Sequence, residues 1–574
     1  MRNMKRTWSS RIVFPVCLLA SWCGALQAQT VLYNGIELPE EWPPRNIEMN
    51  SREPMPVPYL DHPPAIIPID MGRQLFVDDF LVEESTLRRV WHRPVKYAGN
   101  PVLKPQRDYE GSRTTLKCSP VLFDPADNLF KVWYMTGSHR DRCLAVSKDG
   151  IHWERPELDV VPGTNYVLHN TNWEHTNGFD VELDHTAADP DERYKAILYR
   201  KAELVNAFYT SPDGVHWKEI GQAPIYVENM PEFRDREIGR AGNRFHPGDV
   251  CTFHFNPFRK IWVFDVKEHH TPGRGRARFY REGKTFAELS DINPDNLVFS
   301  MGADRLDKFF PGIDMSSKLD GYMKITPQMY QRDAVAYESV MLGTFSLWYN
   351  QFGKWNTIPK INQIFVGFSR DGFHWDRAYR DPFIPIERKK GVGNPEFGYL
   401  RPAGGGCVVV GDKLHFYYEG TSGINRDGKP SRNETMTMNL AVLRRDGFAS
   451  MEAEDEAGTL KTRPVTFSGK HLFVNLDAPD GDLQVEVLDT DGQPIAPFML
   501  ENCTPASGNE TKLKIEWKGV ADLGSLQGKP VRFRFHLNRG ALYAFWVSPD
   551  PSGASNGYVA SGGPGFTGAR DLWQ

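Results

Sequence analysis

Three carboxylates stand in otherwise apolar, strand-like sequence, where an unpaired charge is expensive to bury. They are Asp180 in Asn177-Gly178-Phe179-Asp180, Asp249 in His246-Pro247-Gly248-Asp249, and Glu338 at the end of Asp333-Ala334-Val335-Ala336-Tyr337-Glu338. Carboxyl groups that converge from separate strands can break an acetal bond. One protonates the leaving oxygen, while another activates water or attacks carbon. A third can hold its neighbour protonated by like-charge repulsion. On this reading Glu338 is the general acid, Asp180 the base and Asp249 the orienting partner.

The elements that must position them follow from a repeat. Ser147-Lys148-Asp149-Gly150-Ile151-His152-Trp153 recurs as Ser211-Pro212-Asp213-Gly214-Val215-His216-Trp217 and as Ser369-Arg370-Asp371-Gly372-Phe373-His374-Trp375. Shorter copies stand at Arg281-Glu282-Gly283 and Arg445-Asp446-Gly447, so the acidic positions lie 64, 69, 89 and 75 residues apart. Each copy follows three short runs rich in β-branched and aromatic residues, and one further run follows the turn. Five four-stranded sheets bury their edges most cheaply by radial closure. The chain is therefore expected to be all-β, a five-bladed β-propeller whose first strands face the axis. A residue type repeated in every blade cannot be one active centre, so the turns are read as structural.

Past His471 the strands shorten and crowd together, the pattern of a β-sandwich. The expected organisation is a signal peptide over 1–28, an extended arm over 29–73, the propeller over 74–467, the sandwich over 468–547 and a flexible tail over 548–574. The leader has Lys5, Arg6 and Arg11 before an apolar run and small Ala28 at its end, which implies a secreted or periplasmic protein. Net charge is −5, or −9 without the leader. That balance does not suit nucleic acid, and no later stretch is long and apolar enough to span a bilayer. The five later cysteines show no metal spacing. No cofactor is required by this reading, although the central channel admits a structural Ca²⁺.

Aromatic faces and bidentate side chains suited to a carbohydrate cluster near the expected strand starts: Arg113, His175, Arg244, His246, Tyr337 and Arg401. An arginine-rich insertion from Arg234 to Arg244 offers an anion-recognising rim.

A secreted five-bladed propeller with three axial acids and a following sandwich resembles the glycoside hydrolases of families 32, 43, 68 and 117, and also the family 130 mannoside phosphorylases. The segments Gln74–Leu81, Asn256–Trp262 and Leu542–Trp546 resemble an uncharacterised bacterial subgroup of such hydrolase-like proteins. The resemblance implies cleavage of terminal sugars from a glycan, with furanosides or anionic sugars as candidate substrates. Phosphorolysis and glycan binding without catalysis are the alternatives. In families 32 and 43 the first acid lies on the first blade. Here Thr114–Ser119 holds no carboxylate, and the Asp, Asp, Glu order is displaced by one blade. Glu110 and Asp79 are the candidates to supply the missing group.

Overall fold

The computed structural model describes residues 30–573, except 137–140, 170–175, 231–244, 246, 272–273, 310–326, 350–360, 392, 425–428 and 430–434. The chain forms a five-bladed propeller. Blade 1 contains Val121–Asp124, Leu129–Met135, Arg142–Ser147 and Tyr166–Leu168; blade 2 contains Thr176–Leu183, Tyr194–Arg200, Val205–Ser211 and Lys218–Pro224. Blade 3 runs Thr252–Asn256, Ile261–Thr271, Gly275–Gly283 and Val298–Gly302; blade 4 runs Gln328–Glu338, Val340–Trp348 and Asn362–Ser369. Blade 5 is built on Leu400–Pro402, Lys413–Thr421 and Met436–Arg444, and Val95–Lys96 adds its outermost strand. Strand from near the N-terminus thus completes the last blade, pairing with Ala441 and Val442.

Hydrogen bonds between consecutive first strands and the segments beside them close the ring. Ser119 Oγ donates to Phe179 O (2.5 Å), Phe253 N to Asp180 Oδ2 (2.8 Å) and Thr252 Oγ1 to Arg332 O (2.6 Å). Gln331 Nε2 donates to Pro402 O (3.0 Å), and Gly404 N returns to Ser119 O (3.0 Å).

The three full turn copies share one construction. Asp149, Asp213 and Asp371 each accept the amides two and three residues ahead at 2.8–2.9 Å, while Gly150, Gly214 and Gly372 take φ of 74°, 79° and 83°. The turns also fasten neighbouring blades: Trp133 Nε1 of blade 1 donates to Gly214 O of blade 2, and Tyr417 Oη of blade 5 to Gly150 O of blade 1, both at 2.8 Å. A Cβ on Gly150 would stand 2.4 Å from Tyr417 Oη, whereas one on Gly163, φ 79°, meets open space. Gly150→Ala should therefore cost about 2–3 kcal/mol and Gly163→Ala about 1 kcal/mol. Denaturant midpoints of the two variants check this; equal losses would show that the inter-blade contact contributes nothing.

Three expected boundaries are corrected. Gln74–Leu75, Val82–Ser85 and Arg88–Trp91 do not belong to the propeller. They join a nine-stranded sheet together with Ala449–Ala453 and Gly458–Thr462, which also fall within the expected propeller range of 74–467. That sheet doubles over to form the sandwich. The long strand His471–Leu488 pairs through its first half with Gly540–Ser548 and through its second with Arg532–Asn538, and its register breaks between Ala478 and Leu483. Val474, Val485, Phe535 and Phe545 are among the residues packed between the layers.

Nor is the segment after Ser548 a flexible tail. Tyr558–Val559 pairs with Glu338 and Tyr337 on the axial side of blade 4. Ser561 O then accepts Phe123 N of blade 1, and Gly562 O accepts Val409 N of blade 5, both at 2.9 Å. Sparse apolar content suggested disorder, but main-chain hydrogen bonds to three blades hold the segment. The five cysteines Cys118, Cys143, Cys251, Cys407 and Cys503 are free and buried.

Candidate functional site: the two ends of the propeller axis

The first strands begin at one end of the axis, and the charged residues there converge on Asp249. Lys267 Nζ lies 2.7 Å from Asp249 Oδ1 and Lys117 Nζ 3.0 Å from Oδ2, while Asn177 Nδ2 donates to Oδ2 at 3.3 Å. His269 Nε2 lies 3.5 Å from Oδ1. Burial alone would raise the Asp249 carboxyl, but Lys117 and Lys267 outweigh it and hold the group well below the usual carboxylate range. Burial brings Lys267 down to about 8 and His269 to about 3, so at neutral pH the lysine is charged and the imidazole is not.

Buried aromatic rings pack against the cations of this cluster. Lys267 Nζ sits 4.8 Å from the Tyr330 ring centre, and the Arg276 guanidinium 4.5 Å from that of Trp348. Arg401 on blade 5 is buried against Glu419, its Nε donating to Oε1 at 3.0 Å, and Glu419 Oε2 accepts Leu116 N of blade 1. Arg401 therefore stands in the ring as expected, but as a fixed link between blades.

Asp180 faces the other end. Its Oδ2 caps Phe253 N, and two residues along the same strand Glu182 caps Phe255 N at 3.0 Å. These carboxyls serve the main-chain donors on the axial edge of blade 3, which no neighbouring strand can reach. Burial and then Asp333 push Asp180 well above its ordinary range; Glu182 rises to about 8. Cys118, Val250, Tyr330 and Trp348 form a separate buried cluster. The two acids do not share one pocket.

Glu338 belongs to neither end. It is fully buried at the far terminus of its strand, where Arg445 Nη2 (3.0 Å), Arg73 N (3.1 Å) and Ser555 Oγ (2.7 Å) enclose it. Tyr337 Oη donates to Asp446 Oδ1 at 2.6 Å in the same network, which joins propeller, sandwich and C-terminal segment. Neither residue can meet a substrate, and the assignment of Glu338 as general acid is corrected on that ground. Glu110 is likewise enclosed, by Arg155 Nε (2.6 Å), Tyr134 Oη (2.5 Å) and two main-chain amides. Asp79 is exposed beside Arg89 on the sandwich side. Arg113 lies at the junction of blades 1 and 5, bridged to Met436. His175, Arg244 and His246, with Arg234 to Arg240, lie outside the described residues.

Sequence reasoning missed Lys117, Asn177, Lys267, His269 and Arg276. A signal was present: Lys117 is the charged residue of the blade 1 segment in which a carboxylate was sought, and its ammonium meets the carboxylate of blade 3. Among the described residues no group of three or more His, Cys, Asp or Glu gathers as metal ligands, and no helix is long and apolar enough to cross a membrane.

No family model and no curated protein matches the chain. Solved structures similar to it include a Bacteroides ovatus protein described as a presumed glycoside hydrolase, at 16% identity and TM-score 0.36, covering 61% of this chain and 97% of that one. A second comes from work describing hydrolases of β-1,2-mannosidic linkages within the family 130 mannoside phosphorylases (14%, TM-score 0.38, 62% and 94% covered). A thermostable family-43 glycoside hydrolase matches at 12% identity and TM-score 0.37, with 60% and 94% covered. The class defined by this chain's own strand pairing is a five-bladed propeller joined to a β-sandwich, with a charged cluster around Asp249 at one end of the axis.

Proposed function

We propose that the protein acts on glycans and breaks a terminal glycosidic bond at a funnel whose mouth is the charged cluster around Asp249, with Asp249 as the ionised carboxylate. The observation that carries the reading is the setting of Asp249: it precedes the first strand of blade 3, its side chain is 25% exposed, and two lysines keep it charged. A water-activating base or a carboxylate nucleophile must be ionised and reachable. Held so low, Asp249 cannot be the proton donor. Two ammonium groups, those of Lys117 and Lys267, face the one carboxylate of Asp249.

That excess of cations favours an anionic group in the funnel and supports phosphorolysis as a second reading. The deciding experiment is sugar release from aryl glycosides and oligosaccharides, with and without inorganic phosphate, with Asp249→Asn as control. Free sugar without phosphate supports hydrolysis, whereas sugar phosphate formed only with phosphate supports the second reading. Binding without turnover in either condition would leave a glycan-binding propeller. The leader read in residues 1–28 makes this an exported protein, which N-terminal sequencing of material outside the cytoplasm would check.

The pH profile follows from Lys267. Its charge is present below about 8 and is lost as pH rises through that value, so turnover should fall on the alkaline side near pH 8. Lys267→Arg, charged throughout, should shift that limb upward. An unchanged alkaline limb in the variant would remove Lys267 from the site.

A further inference from the structure

We infer that the opposite end of the propeller axis holds a second ligand site, one that takes an uncharged sugar ring. A cavity of about 710 Å³ lies there, lined by Asp180, Glu182, Phe255, Trp262, Tyr558 and Gly568 among others. That is room for a sugar of one or two rings. Phe255 and Trp262 lie with ring centres 5.1 Å apart, and Tyr558 brings a third ring from the C-terminal segment. Ring faces of this kind suit the C–H faces of a pyranose.

The polar groups of the wall agree with a neutral, hydroxyl-bearing ligand. Asp180 is 4% exposed yet lines the cavity; it and Glu182 accept main-chain amides, and among the described residues no cation pairs with either. Alternate residues of one strand face the same way, so the two carboxyls stand roughly 6–7 Å apart. Burial raises both carboxyls, Glu182 to about 8, and a neutral carboxylic acid can donate to a sugar hydroxyl as well as accept from it. The other charged or titratable groups facing this space are Asp184, His185, Lys260, Lys284 and Arg570, with Asp333 behind Asp180. The site is independent of the funnel reading, because no wall residue named here touches Asp249.

The test uses the full-length protein with methyl α-mannoside, methyl β-galactoside, cellobiose and glucosamine as probes, followed by saturation-transfer NMR and by amide exchange over residues 558–571. A Cβ at Gly568 meets open space, so Gly568→Trp should fill the cavity without displacing its wall. Neutral sugars are expected to slow exchange in the C-terminal segment, in the wild type and in Asp249→Asn alike. Gly568→Trp should weaken that binding event by roughly tenfold or more. Binding should also fade above about pH 8, where Glu182 loses its proton. The inference is overturned if no neutral probe protects residues 558–571 at millimolar concentration, or if Gly568→Trp binds as the wild type does. Retention of glucosamine alone, tightening as pH rises, would overturn it too, since the site would then recognise charge. Exchange in the wild-type protein decides the matter even if the tryptophan variant fails to fold.

Discussion

Asp249→Asn should lower turnover roughly 10²–10⁴-fold while leaving the protein folded, because the amide keeps the size of the carboxylate and loses the charge that the chemistry needs. The substitution also leaves Lys117 and Lys267 facing an uncharged group, and their ammonium groups repel each other across it. Lys267 should then shed its proton more readily than at about 8, so any residual activity would show its alkaline limb at lower pH. Full activity in this variant, with a melting temperature like that of the wild type, would exclude the funnel as the catalytic centre. A loss of activity together with a large loss of stability would not count for catalysis, which is why the melting curve belongs beside the rate.

Glu338→Ala should be the most destabilising single substitution at the interface of the two domains. The glutamate is enclosed by Arg73, Arg445 and Ser555, and its removal leaves two buried guanidinium groups with one fewer counter-charge. Breaking a buried ion pair in this way costs about 3–5 kcal/mol. Asp446 and Asp571 remain as partners for the arginines and set the lower end of that range. Glu338→Gln, which keeps the size and one acceptor, should lose less and retain wild-type turnover per folded molecule. Inactive but fully folded Glu338→Gln would restore this residue as a candidate acid. Melting temperature and specific activity, measured on the same preparations, separate the two outcomes.

The repeat was legible because the three full copies make the same turn, and only a residue such as glycine takes φ near +75° there without strain. Apolar alternation between the turns gave strands of the observed order, and the count of turns gave the number of blades. The ends of the propeller were less legible. Val95–Lys96 and Gln74–Leu75 are both short and strand-like, yet one pairs with blade 5 and the other with the sandwich. Local pattern says that a segment is extended; it does not say which edge the segment meets.

Among the acids, Asp180 and Glu338 looked alike in sequence, each a carboxylate closing an apolar run. One caps main-chain amides beside an axial cavity, and the other anchors two arginines from distant segments. Glu110 was read as a substitute catalytic group, but its four donors come from its own loop, from Tyr134 and from Arg155. Asp249 precedes the first strand of blade 3, and its lysine partners stand on another blade and on the next strand, where local pattern could not reveal them.

By itself the sequence determined the all-β class, the five repeated turns and the axial placement of the first strands, because turn stereochemistry and side-chain alternation act over only a few neighbouring residues. Only the tertiary structure decided which carboxylate is held low by cations, which is raised by burial and which is sealed within a salt-bridge network. Those properties depend on charges brought close by ring closure and by domain docking, and on the water that such packing excludes.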